Sequence, residues 1–288
     1  MSDPIGNNNF KGELPLKEAY QDLLHPTASA VGQLASIPVR VVNVLLSPLY
    51  KWITQGEANI EEVSKLVAKE VEGLPENKLV PPEPYVAVPA LQALTYSLDS
   101  SELRNMYAKL LATAINVDLK VKAHPSYVEI IKQLSPIDCK VLHKIYMSIA
   151  SGIPLCSIRA QKKSRAPYPS LPSFRYLDDG IAFANDLSIL HIDGASIADI
   201  SVSIGNLKRL GFLDKGKGLG YVADDPYVPF ETNSEIQKLK ARFLDQEVDD
   251  WEVVLTKDLA VLTPFGRSFS SVCIGAPPED SFCQFVNF

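Results

Sequence analysis

Twenty-one prolines are spread through 288 residues, and their placement limits how far any regular element of this chain can run. Proline has no backbone donor and its ring clashes with the preceding turn, so it opens helices readily and interrupts them at a cost of about 3 kcal/mol. Read by this punctuation, a first helical region starts near Pro15 and continues to Thr54, with breaks at Pro26, Pro38 and Pro48 and a stop at Gly56. The densest run, Pro75, Pro81, Pro82, Pro84 and Pro89, predicts an extended linker over Leu74–Pro89 with helix resuming only beyond it. His124-Pro125 and Ser135-Pro136 each place a proline at a first helical position behind a cap, and Pro264 opens a last helix through Phe265, Phe269 and Val272.

Between the prolines the apolar period identifies the helices. Ile60, Val63, Leu66, Val67 and Val71 recur at steps of three and four, with Glu61 and Lys65 paired on the wet face, in a helix ending near Gly73. Asp99 and Glu102 have capping-box spacing, and Leu103, Met106, Tyr107, Leu110, Leu111 and Ala114 then trace one face. Ile137, Val141, Leu142 and Ile145 give the next helix its stripe, and the period stops after Ser151 and Gly152. Farther on, Ile197, Ile200, Ile204, Leu207 and Leu210 close on Gly211, a left-handed cap. Phe212-Leu213 reads as a strand start, Lys215–Gly220 as a turn and Tyr221-Val222 as the return; Trp251–Leu255 and Leu259–Leu262 flank Lys257-Asp258 like a hairpin. The expected fold is mainly α: a disordered start over residues 1–14, a helical bundle over 15–152, and a winged-helix-like α+β module over 153–288 with an acidic insertion near 224–250.

A composition of 46% hydrophobic and 22% charged residues supports one large core or two modest ones. The net charge of −6 and pI near 5.3 argue against a chain-wide basic surface for nucleic acid. Cys139, Cys156, Cys273 and Cys283 lie far apart without a C-x-x-C unit, and Met1–Phe10 lacks the basic and apolar regions of a secretory leader. Reduced thiols and a cytoplasmic location are expected. Leu23–Tyr50 is apolar for most of its length, yet Arg40 interrupts it, and a central arginine costs about 2.5–3.5 kcal/mol on insertion scales. Three readings stay open: a buried helix pair, contact with a membrane through Val41, Val42, Leu45 and Leu46, or a span.

No residue pattern points to catalysis. His25, His124, His143 and His191 show neither H-E-x-x-H spacing nor a Cys/His cluster, and before a proline an imidazole caps a helix or fills a turn. Gly216–Gly220 reads as a hairpin wing, not a phosphate loop, because no helix follows to supply its N-terminal dipole. Asp178-Asp179, Asp224-Asp225 and Asp249-Asp250 sit beside Gly or Pro, where turn chemistry and solvation explain them better than a metal. The expectation is a non-enzymatic protein with no cofactor, no metal and no small-molecule substrate. Two basic features remain. Arg159–Arg165 reads as a solvated loop, and the helix over Ser196–Leu210 offers Asn206, Lys208 and Arg209, with Lys215 and Lys217 on the wing, for phosphates or base edges. The same module also serves as a protein-docking or self-association unit.

Four segments carry a resemblance. E-L-R-N-M-Y-A-K-L-L-A at Glu102–Ala112 and H-P-S-Y-V-E-I-I-K-Q-L-S-P-I-D at His124–Asp138 resemble the bacterial abortive-infection alpha family. N-L-K-R-L-G-F-L at Asn206–Leu213 and L-T-P-F-G-R-S-F at Leu262–Phe269 look like its C-terminal pattern. The resemblance implies a role linked to anti-phage defence and supplies no catalytic residues to place on this chain.

Overall fold

The computed structural model describes residues 39–50, 57–97, 99–148, 152–162, 181–216, 226–244 and 251–277. Its elements are α1 (Val39–Tyr50), α2 (Glu57–Glu70), α3 (Pro84–Tyr96), α4 (Ser101–Ile115), α5 (Ser126–Ile131), α6 (Pro136–Met147), β1 (Gly152–Lys162), β2 (Ile181–Leu187), α7 (Ile197–Arg209), β3 (Leu213–Lys215), α8 (Val228–Thr232), α9 (Ser234–Leu244), β4 (Trp251–Leu262) and α10 (Pro264–Cys273). The chain is therefore helix-rich, with one small antiparallel sheet in the order β2-β1-β4-β3. The expected disordered start, Tyr221-Val222, Lys217, Cys283, His25, the Glu61–Lys65 pair and the three acidic pairs all involve positions outside the described residues and side chains.

The proline punctuation is overruled twice. α1 runs through Pro48 to Tyr50, and α3 starts at Pro84 and runs through Pro89, where an extended linker is expected. Pro84 occupies the favoured first turn; Pro89 removes one helical hydrogen bond. That loss is offset by burial, because Val86, Ala87, Ala90, Leu91, Ala93 and Leu94 are all in the core. Only the stretch before Pro84 lacks α-helix: it holds a one-turn helix at Glu76–Lys78 and a bridge from Leu79 to Asn116.

One contiguous core takes side chains from α1 through α6, from the start of β1, and from α7, β4 and α10. β1 divides it from a smaller cluster. Ile153 and Leu155 face the main core, whereas Cys156 and Ile158 pack with Leu187, Ile197, Phe230 and Ile236. The insertion expected near 224–250 contributes Phe230 from α8 and Ile236 from α9 to that second cluster.

The strands differ from expectation in two places. Lys257-Asp258 is no hairpin turn: β4 is continuous, and the two residues pair in register with Cys156 and Leu155 of β1. Their polarity mimics a turn in the sequence, but both charges are answered. Lys215 lies 3.4 Å from the Asp258 carboxylate, and the Lys257 ammonium stands 5.2 Å from the centre of the Tyr227 ring. Arg159–Lys162, expected to be loop, form the end of β1, whose pairing with β4 continues to Lys162 opposite Trp251. β2 carries an extra residue against β1 between Ala184 and Leu187, and Asp186 there has φ of 57°. Aspartate tolerates this left-handed conformation better than most residues.

The helix ends follow local chemistry. Ser135 and Ser196 build capping boxes with Asp138 and Asp199. The α4 cap is Ser100, one residue later than the expected Asp99. Pro125 is itself the residue before α5, and His124 Nδ1 accepts from the Ser126 N–H at 3.2 Å. α7 ends as expected on Gly211, with φ of 79°: Gly211 N–H donates to Lys208 O and Phe212 N–H to Leu207 O, a Schellman motif. Thr263 then ties the start of α10 to this turn, its backbone N–H donating to Phe212 O and its hydroxyl to Gly211 O. A Cβ on Gly266 would stand 2.5 Å from Phe212 O, so only glycine permits this approach.

Candidate functional site

Of the residues expected to meet DNA, Asn206, Lys208, Arg209 and Lys215 each make contacts within the protein, and Lys217 lies outside the described residues. Asn206 Nδ2 donates to Asp138 Oδ2 at 2.9 Å and to Gln133 O at 3.2 Å, while its Oδ1 accepts from Arg209 Nε and Nη2. Arg209 Nη1 also donates to Gln133 Oε1 at 3.2 Å. Lys208 pairs with Asp186 in the β2 bulge, both side chains mostly buried, and the Ser201 hydroxyl donates to Asn185 O beside it. Lys215, its side chain exposed, stands 3.4 Å from the Asp258 carboxylate, a contact as long as those described below for the cleft. The face of α7 thus holds α6 on one side and β2 on the other: Lys208 is paired with a carboxylate, and the exposed Arg209 bonds the neutral Asn206 and Gln133.

Val42, Leu45 and Leu46 of α1 are buried, and Val41 packs against the same core. In this conformation they face α2 and α3, not a membrane. Among the described residues no helix is long and apolar enough to cross one.

A different place gathers polar groups. A cleft of about 600 Å³ lies between α2, α4, α6, the segment after β2 and the end of α10. Helical spacing aims the groups into it: Glu102, Asn105 and Lys109 share one face of α4, and Lys140, His143 and Lys144 share one face of α6. α2 adds Lys69 and Glu70, and the 188–193 segment adds His191 and Asp193. The floor is apolar, made by buried Met106, Cys139, Ile192, Cys273 and Ile274.

The ionic contacts of the rim are loose. Lys109 Nζ is 3.4 Å from Glu70 Oε2, Lys140 Nζ is 3.5 Å from Glu102 Oε1, and Lys144 Nζ donates to His191 O at 3.2 Å. A well-formed charge-assisted bond is nearer 2.8 Å. The side chains of Lys69, Asn105 and His143 have no hydrogen-bond or ionic partner among the described residues. Gly275, with φ of 115°, makes room for Lys109: a Cβ there would stand 3.1 Å from Nζ. The Glu102 carboxyl is held below its usual range, first by its own backbone N–H and further by Ser101, Lys140 and Ser100.

The thiols in the floor are not activated. Burial, with Asp138 and Glu102 adding repulsion, pushes Cys139 up to about 12, and burial raises Cys273 well above the ordinary thiol range. What the cleft offers is cationic donors over an apolar bed, an arrangement for holding an anion. Sequence reading missed it because each contributor, taken on its own helix, looks like an ordinary wet-face residue. The i, i+3, i+4 set Lys140, His143 and Lys144 is the one local signal of a cationic patch.

No curated protein and no solved structure matches the chain. The sequence pattern described as abortive infection alpha does match, over residues 55–273. That match starts just ahead of α2 and ends on the last residue of α10, so it takes in the helices that wall the cleft and the polar face of α7. This chain belongs to the abortive infection alpha family.

Proposed function

We propose that the protein serves bacterial anti-phage defence as an interaction protein in the cytoplasm, acting by binding and not by bond-making chemistry. The observation that carries this reading is family membership across 55–273. The character of the cleft supports it: partly engaged cations surround a closed apolar floor whose thiols burial keeps protonated. The antiparallel pairing of β3 with β4 supports reading α7 and β3, with β4 and α10 after the intervening α8 and α9, as a winged-helix-like unit for docking a protein partner or a second copy. Its use in DNA binding is disfavoured by the internal bonds of Asn206, Lys208 and Arg209.

Cells carrying the gene and challenged with a broad phage panel test the reading. Reduced plaquing, or culture survival after infection, is expected for at least one phage. Unchanged plaquing and survival across the panel would overturn it.

A further inference from the structure

We propose that the cleft between α2, α4 and α6 is a binding site for a phosphorylated small molecule of about nucleotide size. Four lysines, Lys69, Lys109, Lys140 and Lys144, converge there from three helices of a chain whose net charge is −6. Concentrating like charges in one depression opposes folding unless something answers them. Glu70 and Glu102 answer only part, through contacts at 3.4 and 3.5 Å with Lys109 and Lys140; Asp193 stands 3.1 Å from His191, and the Lys69 side chain has no partner among the described residues.

Phosphate oxygens fit this set of donors. Lys140 and Lys144 stand one turn apart on α6, the spacing at which two side chains can share one anionic group, while Lys109 and Lys69 line the same cleft from α4 and α2. Asn105 and His143 add polar groups for hydroxyls or ring nitrogens. Inorganic phosphate alone would leave most of the space unused: about 600 Å³ falls inside the roughly 300–1,000 Å³ range of small-molecule sites. The floor of Met106, Ile192 and Ile274 beds an apolar or aromatic body. The bound molecule bridges α2, α4, α6 and the end of α10, elements from both ends of the described chain.

Titration calorimetry of the full chain at low salt, with AMP, ATP and pyrophosphate as probes, tests the assignment. At least one nucleotide is expected to bind more tightly than pyrophosphate. Replacing Lys140→Gln and Lys144→Gln together weakens it by roughly tenfold or more, about 1.4 kcal/mol of binding for each factor of ten. Glu70→Gln should act in the opposite direction, tightening binding by about threefold as it frees Lys109 and removes a repelling carboxylate. A general loss of structure would not move the two variants apart, and their urea midpoints check that both fold. Binding by no probe, equal binding by wild type and K140Q/K144Q, or pyrophosphate binding as tightly as the nucleotides would overturn the proposal. The site stands on cleft geometry alone, and the phage challenge tests the defence reading separately.

Discussion

Two cationic regions of this molecule look alike in sequence and behave oppositely in the structure. On α7, Lys208 and Arg209 are drawn into bonds with Asp186, Asn206 and Gln133, and those bonds hold neighbouring elements in place. In the cleft, Lys109 and Lys140 make only long contacts and Lys69 makes none among the described residues. A cation engaged in holding the fold is unavailable to a ligand without cost, whereas one in a loose pair exchanges its partner for a phosphate oxygen with little loss. The difference lies in which elements the folded chain brings alongside, since the sequence neighbourhoods of Lys208-Arg209 and of Lys140 and Lys144 are both ordinary helix.

The contrast can be broken by substitution. The largest effect is expected at Asp138, which is buried and accepts both from Ser135 N–H at 2.7 Å and from Asn206 Nδ2 at 2.9 Å. Asp138→Ala removes a capping box and the α6–α7 bond together, a loss of about 3 kcal/mol in urea unfolding. A loss under about 1 kcal/mol would show that α7 is not tied down as described. Lys208→Met should cost about 1.5 kcal/mol, because it leaves Asp186 unpaired in a mostly buried position. A duplex DNA mobility-shift titration at low salt should show no complex, since even non-specific binders bind under those conditions. A complex lost in the Lys208→Met variant would place DNA on α7 and erase the distinction.

The cleft side sharpens the comparison through small effects. Lys140→Gln should change the urea midpoint by less than about 0.5 kcal/mol of stability, as expected for a partly exposed, long ion pair. Smaller still is the acid response of Glu102. Its folded carboxyl titrates below the ordinary glutamate range, so its contribution is present above that range and is lost as pH falls through the lowered value. Glu102→Gln should flatten that part of the stability profile, and an unchanged profile would count against the hydrogen bonds assigned to it.

What could be read in advance follows the range of the interactions involved. The end of α7 was legible because its glycine cap is made by residues within four or five positions of one another; the equally local capping box of Ser196 and Asp199 went unread. α3 was not, since the burial that offsets Pro89 comes from other helices. The Lys257-Asp258 pair misled for the same reason: the partners that satisfy it, Lys215 and Tyr227, lie on distant segments. The family resemblance was legible in four short blocks, yet the cleft, to which only the Glu102–Ala112 block contributes, was not. Its walls come from residues between Leu66 and Ile274, and no window of sequence displays them together.

The cleft floor also sets a clock on synthesis. Met106 and Cys139 leave the ribosome well before Cys273 and Ile274, which complete the same floor from the end of α10. At roughly 5–20 residues per second, the first walls wait on the order of tens of seconds for the last. During that interval a nascent chain exposes part of an unfinished core and has no complete pocket. A molecule that needs the whole cleft can therefore engage only chains in which Cys273 and Ile274 have emerged and packed against Met106 and Cys139.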